Sequence, residues 1–309
     1  MTAELQVPIG LRTHLAHAVV DCVAREIGAD VLHIKGPAVD DGLRPVELIT
    51  HDDGSTTSRT VPRLSTDADV LVRPSQARAL VAALIKHGWS VVTRFETGSI
   101  FEHAASLWHT QLGYVDLHRR FPGVDLDAEA AFDVLWSERL ERHIAHQPCP
   151  VPSTDGQRLI LLLHAARGGG VRHPDAQLLW EGASADEQKR CRDLAARLDA
   201  DLALAAASGR LDDFVGHPAE HLWRLLSANR EPSRAEIFAA RWRATPGLRA
   251  RLHLLARVAL LNTDHLSMRL GHAASRRDVL TAYAQRVPLF GREAGKAGRR
   301  LLARIRGRR

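Results

Sequence analysis

The stretch DADVLV, residues 67–72, is an apolar β-type run that begins on two acidic residues two positions apart. Side chains alternate between the two faces of a strand, so Asp67 and Asp69 project from the same face and their carboxylates can converge on one point. Paired carboxylate oxygens are ligands that suit Mg²⁺. The same spacing also occurs at solvated strand ends, so the function of this pair depends on its neighbours.

A second feature lies about thirty residues upstream, where the apolar run VLHI (31–34) ends in Lys35-Gly36-Pro37. This pattern predicts a strand that enters a tight turn. The glycine would let backbone amides approach a triphosphate, and the lysine could meet its charge. Lys35 is equally compatible with a solvated strand end.

Downstream, the run GYVDLH (113–118) predicts a strand whose polar face carries Asp116 and His118 together. Carboxylates on neighbouring strands are what two-metal phosphoryl transfer requires. Asp67 and Asp69 would bridge the two ions, and Asp116 would complete one site and accept the proton of the attacking hydroxyl. His118 has the position of a partner that orients a carboxylate rather than that of a catalyst.

The remaining sequence predicts helices on both sides of these strands. Before Pro122, helical spacing covers residues 11–28 and 74–86, the polar stretch 42–62 indicates a loop or a short hairpin, and a hairpin turns near Gly113. After Pro122, helical apolar spacing recurs over residues 127–145, 155–167, 184–208, 211–228, 233–244, 247–261 and 276–286.

These motifs together resemble the nucleotidyltransferase superfamily of DNA polymerase β and the aminoglycoside nucleotidyltransferases, in particular a bacterial branch of uncharacterised nucleotidyltransferases. That branch has a strand followed by Lys-Gly, an arginine shortly before D-x-D, and a D-x-H strand. The matching segments here are Lys35-Gly36-Pro37, Arg63, residues 67–72 and Val115-Asp116-Leu117-His118. The likeness covers roughly residues 20–122, and a weaker one covers 161–168. The chain departs from the wider superfamily at Pro37, where a glycine or serine is usual, and its segment 44–60 looks like an insertion near the site.

The resemblance implies an α+β fold: a polymerase-β-like nucleotidyltransferase domain with a small mixed sheet, followed by an α-helical domain. We predict that the first domain covers residues 1–147, the helical domain 148–290, and a basic C-terminal tail 291–309. Residues 148–154 (PCPVPST) hold three prolines in seven residues and are the predicted boundary.

The implied activity is transfer of a nucleoside monophosphate from a nucleoside triphosphate to a hydroxyl or phosphate acceptor, either a small molecule or a peptide. The implied cofactor is Mg²⁺ or Mn²⁺, and ATP is the expected nucleotide. The catalytic residues and metal ligands would be Asp67, Asp69 and Asp116. The residues that bind the nucleotide would be Lys35, Gly36, Arg63 and His118. Arg63 has a structural alternative, a salt bridge to Asp67 or Asp69. The alternative function is a non-catalytic, nucleotide-sensing or partner-binding protein of the same fold, similar to the antitoxin-like relatives.

Other histidines and the cysteines give weaker signals. His164 lies on an apolar helix and is typical of a core or interdomain histidine, with contact to a ligand as the alternative, and the glycines at 168–170 predict a loop. The remaining histidines lack metal-ligand spacing, and Cys22, Cys149 and Cys191 form no CxxC pair. The sequence therefore predicts reduced cysteines and no zinc site.

The positive charge is concentrated near the end of the chain. Residues 286–309 contain nine Lys or Arg and one acidic residue, a net charge of +8, so the other residues sum to about −2 of the total of +6. The body of the chain is not a basic nucleic-acid binder, whereas the tail could contact nucleic acid, an anionic membrane or an acidic partner, or stay solvated. No transmembrane segment or signal peptide is apparent, and we expect a cytoplasmic protein.

Overall fold

The computed structural model of the chain describes residues 7–285. The strands of this part, numbered in chain order, are β1 (Val31–Ile34), β2 (Val46–Thr50), β3 (Thr56–Thr60), β4 (Asp67–Val72), β5 (Ser90–Thr93), β6 (Ala104–His109), β7 (Gly113–His118), β8 (Leu140–Ile144) and β9 (Gln147–Val151). Five of them form the main sheet, in the order β1-β4-β7-β6-β5.

Helices alternate with these strands along the chain and make up most of its later part. They are α1 (Ile9–Glu26), α2 (Ala77–Lys86), α3 (Ala128–Ser137), α4 (Thr154–Ala166), the short α5 (Pro174–Ala176), α6 (Ala185–Arg197), α7 (Asp201–Ser208), α8 (Glu220–Leu226), α9 (Arg234–Ala244), α10 (Leu248–Ala259) and α11 (Thr263–Leu270). Residues 276–285 are also helical. Among residues 7–285, no helix has the length and apolar character needed to cross a lipid bilayer.

The main sheet is mixed, and its central pair is parallel. Strands β4 and β7 run side by side in the same direction, whereas β1 pairs with β4, β6 with β7, and β5 with β6 in antiparallel fashion. A parallel pair needs a long crossover connection. Helix α2 and strands β5 and β6 supply it, so that β7 returns beside β4 from the far side.

The two faces of the sheet contribute to two different apolar cores. One core joins Val70, Val115 and Leu117 to residues of α1 and α2. The other joins Leu32, Ile34 and Leu71 to residues of α3, α4 and α7. Because side chains alternate along a strand, Asp69 points to the same face of the sheet as Leu71, and Asp116 points to the face opposite that of Val115. The acidic side chains therefore point toward the side of the sheet that the later helices cover.

Several sequence predictions are confirmed and one is wrong in part. The first helix, the hairpin β2–β3 within residues 42–62, and the hairpin β6–β7 that turns at Gly113 are all present. The predicted helix over 127–145 ends at Ser137, and residues 140–144 form β8, which pairs with β9. A short apolar pattern fits a helix and a strand equally well, and here the packing of Ile144 against Ala38 and Cys149 favours the strand.

The predicted α+β class, a small mixed sheet followed by helices, is confirmed. The chain forms two compact units, residues 1–246 and 247–309, and the described parts of these are 7–246 and 247–285. Strand β9 passes through the proline-rich segment, and the predicted division at 147/148 stays a prediction. The basic tail, residues 291–309, lies outside the described residues, so its predicted contact with nucleic acid or an anionic surface also stays a prediction.

We expect Leu117→Ala to destabilise the chain strongly, because Leu117 is fully buried in the central strand β7. Truncation of a buried leucine costs about 2–5 kcal/mol of unfolding free energy. Leu48→Ala is the matched control, since Leu48 is 71% exposed on β2 and its loss should change stability by no more than about 0.5 kcal/mol. Urea unfolding followed by circular dichroism measures both. If the two variants lost equal amounts of unfolding free energy, the central position of β7 would be contradicted.

Candidate active site

Two carboxylates face each other across the parallel strands. In the β4–β7 register, Asp69 lies directly beside Asp116, and Asp67 lies beside Tyr114. Neighbours in a parallel register project from the same face of the sheet. One potential ligand atom from each of Asp69, Asp116 and His118 lies within 4.8 Å of the other two. The structure thus brings together three of the side chains that the sequence analysis named for the site.

Asp69 is the most enclosed of these groups, and its side chain is only 6% exposed. Its Oδ1 accepts a hydrogen bond from Lys35 Nζ at 2.7 Å and one from His118 Nε2 at 2.8 Å. Burial disfavours the ionised form, but the positive charge of Lys35 and the hydrogen bond from His118 outweigh it and hold the pKa of Asp69 well below its ordinary value. Asp69 is therefore a buried anion whose charge Lys35 balances.

The other two carboxylates are each held by a serine. Ser106 Oγ donates to Asp116 Oδ1 at 2.6 Å, and Ser65 Oγ donates to Asp67 Oδ1 at 3.0 Å. Burial and the neighbouring charge of Asp69 raise the pKa of Asp67. Among the described residues, Asp67 does not belong to the group of ligand atoms within 4.8 Å of one another. A bound cation would relieve the repulsion between these carboxylates.

The turn after β1 places Lys35 at the site through an unusual backbone. Lys35 has φ +58° and ψ −171°, a conformation that normally belongs to glycine and costs on the order of 1–3 kcal/mol in other residues. Gly36 follows with φ +44°, and a Cβ there would lie 3.0 Å from Cβ of Ser65. Glycine is thus required at position 36, because the turn packs closely against the residues that lead into β4.

Arg63 is held by the helical part of the chain. Its guanidinium makes two hydrogen bonds of 2.6 Å to the carboxylate of Asp175, whose side chain is nearly buried in the helical turn α5. Arg63 therefore pairs with Asp175 instead of Asp67 or Asp69, the structural partners considered from the sequence. A role of Arg63 in nucleotide binding stays a prediction.

The end of helix α4 contributes two groups that the sequence analysis did not place at the site. Burial, with smaller contributions from the charges of Lys35 and Arg167, lowers the pKa of His164 to about 3. Burial also lowers the pKa of Arg167 to about 10, although the charge of Asp69 opposes this shift. Within the described part of the chain, His164 Nδ1 and Arg167 Nε are buried without a hydrogen-bond partner. Buried polar atoms are normally hydrogen-bonded, so these two atoms lack the partners that such atoms usually have.

Aromatic rings and a further histidine flank these groups. The guanidinium of Arg167 lies 5.6 Å from the ring centroid of Phe121 and 5.8 Å from that of Phe101. The ring of His103 lies 5.2 Å from that of His118, and burial lowers the pKa of His103 to about 2, so this imidazole is neutral. The sequence signal for the α4 residues was the three-residue spacing of His164 and Arg167, which puts both on one face of the helix end. His103 gave no such signal.

Comparisons with solved structures find nucleotidyltransferases. One is the lincosamide antibiotic adenylyltransferase LnuA bound to lincomycin, with 13% identity, a TM-score of 0.32, and coverage of 60% of this chain and 96% of that one. Another is the antibiotic-resistance factor ANT(2'')-Ia, with 15% identity, a TM-score of 0.34, and coverage of 66% and 92%. A third is an antigenic nucleotidyltransferase-like protein from Paracoccidioides brasiliensis, with 14% identity, a TM-score of 0.36, and coverage of 63% and 93%.

No family model matches the chain, and no curated protein matches it by sequence. The similarities to the solved structures are too low to assign this chain to a family.

We expect Lys35→Met to lower the unfolding free energy by about 3–5 kcal/mol at pH 7, because it leaves the buried charge of Asp69 without its cationic partner. The pKa of Asp69 is lower in the folded chain than in the unfolded chain. Its ionised form therefore contributes fully to the unfolding free energy above the unfolded-state pKa of about 3.9, and this contribution is lost as the pH falls below that value. The difference between the wild type and Lys35→Met should therefore narrow below about pH 4. Urea unfolding of both proteins over a pH series measures this difference in unfolding free energy.

Arg59→Met is the control for that experiment, because Arg59 pairs with Glu47 on the exposed hairpin. Removal of such a surface pair should cost about 0–1 kcal/mol. A Lys35→Met variant that is as stable as Arg59→Met would show that the Lys35–Asp69 pair does not stabilise the fold.

Proposed function

We propose that the chain is a nucleotidyltransferase, which transfers a nucleoside monophosphate from a nucleoside triphosphate to a hydroxyl or phosphate group of an acceptor. The observation that carries this proposal is the side-by-side position of Asp69 and Asp116 on parallel strands, with the ammonium of Lys35 in contact with Asp69. Paired carboxylates beside a cationic group can hold both a metal ion and the phosphates that the ion binds.

The donor atoms at the site fit Mg²⁺ or Mn²⁺. Asp69 and Asp116 offer carboxylate oxygens, which these ions prefer, and Asp67 starts the same strand as Asp69. Both hydrogen bonds to Asp69 fall on Oδ1, and the serine hydrogen bond to Asp116 also falls on Oδ1, so Oδ2 of each is the oxygen proposed for the metal. His118 orients Asp69 through its Nε2. When bound, the metal ion neutralises the triphosphate and the leaving pyrophosphate.

Positive groups on two sides of the carboxylates would hold the triphosphate. Lys35 approaches from the turn after β1, and Arg167 approaches from the end of α4, where Nε lies buried without a protein partner among the described residues. His164, on the same face of α4, offers an uncharged imidazole as a further hydrogen-bonding group. Arg63 would act through its pair with Asp175, which ties the segment before β4 to the helical turn α5.

The proposed reaction is a displacement at the α-phosphorus. An oxygen of the acceptor forms a bond to the α-phosphorus, and the bond from that phosphorus to the oxygen that bridges to the β-phosphate breaks. Pyrophosphate leaves with the electron pair of that bond. Asp116 accepts the proton of an attacking hydroxyl. Most of the rate would come from positioning and charge neutralisation, as is general for phosphoryl transfer.

A second candidate function, nucleotide sensing or partner binding without catalysis, has one observation in its favour. Lys35 already neutralises Asp69, so the pair is satisfied without a metal ion. In that function the carboxylates would stabilise the folded chain, and a nucleotide would bind without being converted to product.

We expect isothermal titration to show binding of a nucleoside triphosphate, ATP first among the four, that depends on Mg²⁺ or Mn²⁺. The double variant Asp69→Asn, Asp116→Asn should lose this metal dependence, because it removes both carboxylate charges from the site. Asp193→Asn, an exposed change on α6, is the control and should bind as the wild type does. Release of pyrophosphate in the presence of candidate acceptors then tests transfer.

The outcomes separate the two candidate functions. Metal-dependent binding with pyrophosphate release supports the enzyme. Nucleotide binding that survives the double variant and gives no transfer supports the sensing function. If the chain binds none of the four nucleotides with either metal, the nucleotidyltransferase proposal and the nucleotide-sensing role are overturned, and partner binding is favoured.

We expect Arg167→Gln to weaken nucleotide binding roughly 10–100-fold. A hydrogen bond to a charged group contributes about 1.5–3 kcal/mol, and loss of that free energy corresponds to this range of affinity. The matched control is Arg190→Gln, because Arg190 lies exposed on α6, where it pairs with Asp155. Titration of both variants at the same metal concentration measures the difference. Unchanged affinity in Arg167→Gln would remove the end of α4 from the proposed site.

A further inference from the structure

A second cluster of buried polar side chains lies between α1, β1 and β9. Asp21, His33 and Cys149 are each at most 1% exposed, and one potential ligand atom from each lies within 4.8 Å of the other two. His33 alternates along β1 with Leu32 and Ile34, which belong to the core on the Asp69 side of the sheet. This cluster therefore faces the opposite side of the sheet from the candidate active site.

The imidazole of His33 makes one good hydrogen bond and leaves one nitrogen poorly satisfied. Its Nδ1 lies 2.9 Å from Nδ1 of His17, so one of the two rings donates to the other. Its Nε2 is buried without a hydrogen-bond partner among the described residues and faces Oδ1 of Asp21 at 3.5 Å. This separation exceeds the usual 2.7–3.2 Å of an N–H···O hydrogen bond. If His33 donates to His17, then Nε2 carries a lone pair that points toward a carboxylate oxygen, and a cation between the two atoms would satisfy both.

The carboxylate of Asp21 is held in a way that leaves the same oxygen for a ligand. Its Oδ2 accepts hydrogen bonds from Arg25 Nε at 2.7 Å and from Gln147 Nε2 at 2.8 Å. Its Oδ1 is the atom that faces His33. Hydrogen bonds of this kind orient the ligands of metal sites from outside the coordination sphere.

We propose that Asp21, His33 and Cys149 form a buried site for a transition-metal ion of the Zn²⁺ type. A tetrahedral ion with bonds of about 2.0–2.2 Å to nitrogen and oxygen separates these two ligand atoms by about 3.4 Å. The observed separation of His33 Nε2 and Asp21 Oδ1 is 3.5 Å. Thiolate, imidazole and carboxylate together favour Zn²⁺ and its chemical neighbours over Mg²⁺.

The proposed site supplies two anionic ligands, and the guanidinium of Arg25, which also pairs with Asp21, is half exposed to solvent. As the ion binds, the S–H bond of Cys149 breaks, the proton leaves to solvent, and the sulfur forms the bond to the metal. The thiolate and the carboxylate of Asp21 then offset the two positive charges of the ion. His33 binds through Nε2 while its Nδ1–H donates to His17, which fixes the tautomer. The ion would link α1, β1 and β9, which join the site only in the folded chain.

The sequence predicts no zinc site, because these residues show no metal-ligand spacing. Asp21 and His33 are twelve positions apart, and Cys149 follows more than a hundred positions later. Only the packing of β9 and α1 around β1 brings them together.

Titration of the metal-free, full-length chain with Co²⁺ tests the proposal. We expect the absorption band of thiolate-to-cobalt charge transfer to saturate at one ion per chain, whether or not a further ion binds at the sulfur-free active site. Cys149→Ser should lose this band. Cys191→Ser should keep it, since Cys191 is equally buried but lies on α6, outside the cluster. The Asp69→Asn, Asp116→Asn variant should also keep it, because the active-site donors contain no sulfur.

Competition with a chromophoric chelator gives the Zn²⁺ affinity and a test that does not depend on sulfur. His17→Gln should weaken Zn²⁺ binding about 10–100-fold, as expected for the partner of a metal-bound histidine. Circular dichroism of each metal-free variant shows whether it is folded. The absence of the band in the wild-type chain, or a band that survives Cys149→Ser and disappears in Cys22→Ser, would overturn the proposal.

Discussion

The parallel pairing of β4 with β7 is the constraint on which the site and both cores depend. In a sheet whose other pairs are antiparallel, this one pair needs the long crossover through α2, β5 and β6. Its register puts Asp69 beside Asp116 on one face and places Val70, Val115 and Leu117 in the core on the other. A slip by one residue would move the carboxylates of one strand into the apolar core beside α1 and α2 and move its apolar side chains to the face of the carboxylates, so burial fixes the register.

Burial of Asp69 then determines what surrounds it. A buried carboxylate without a partner would be strongly destabilising, and the contacts from Lys35 and His118 keep it ionised. To place Lys35 beside Asp69, the backbone of Lys35 takes a strained conformation, and Gly36 packs closely against Ser65. In the proposed function, a metal ion at Asp69 would take over the neutralisation of its charge, and Lys35 would be released toward the phosphates.

The two faces of the sheet carry polar clusters of different chemistry. The face toward α4 presents carboxylate oxygens with cationic groups around them, an arrangement suited to hard metal ions and phosphates. The face toward α1 presents an imidazole, a thiol and a carboxylate in a fully buried position, a set suited to a softer ion. In the two proposals, the ion at Asp69 and Asp116 would take part in catalysis, and the ion at Asp21, His33 and Cys149 would stabilise the packing of α1 and β9 on the sheet.

Local patterns in the sequence predict the α+β class and the strands at 31–34, 67–72 and 113–118, and they put Asp67 with Asp69, and Asp116 with His118, on one face of their strands. These conclusions follow from local rules, since strand alternation and the apolar runs are properties of short segments. Only the folded chain shows that residues 140–144 form a strand, that Asp69 lies beside Asp116, that Arg63 pairs with Asp175, and that Asp21, His33 and Cys149 meet. Each of these is a contact between segments far apart in the chain, and residue periodicity carries no information about which distant surfaces will pack together.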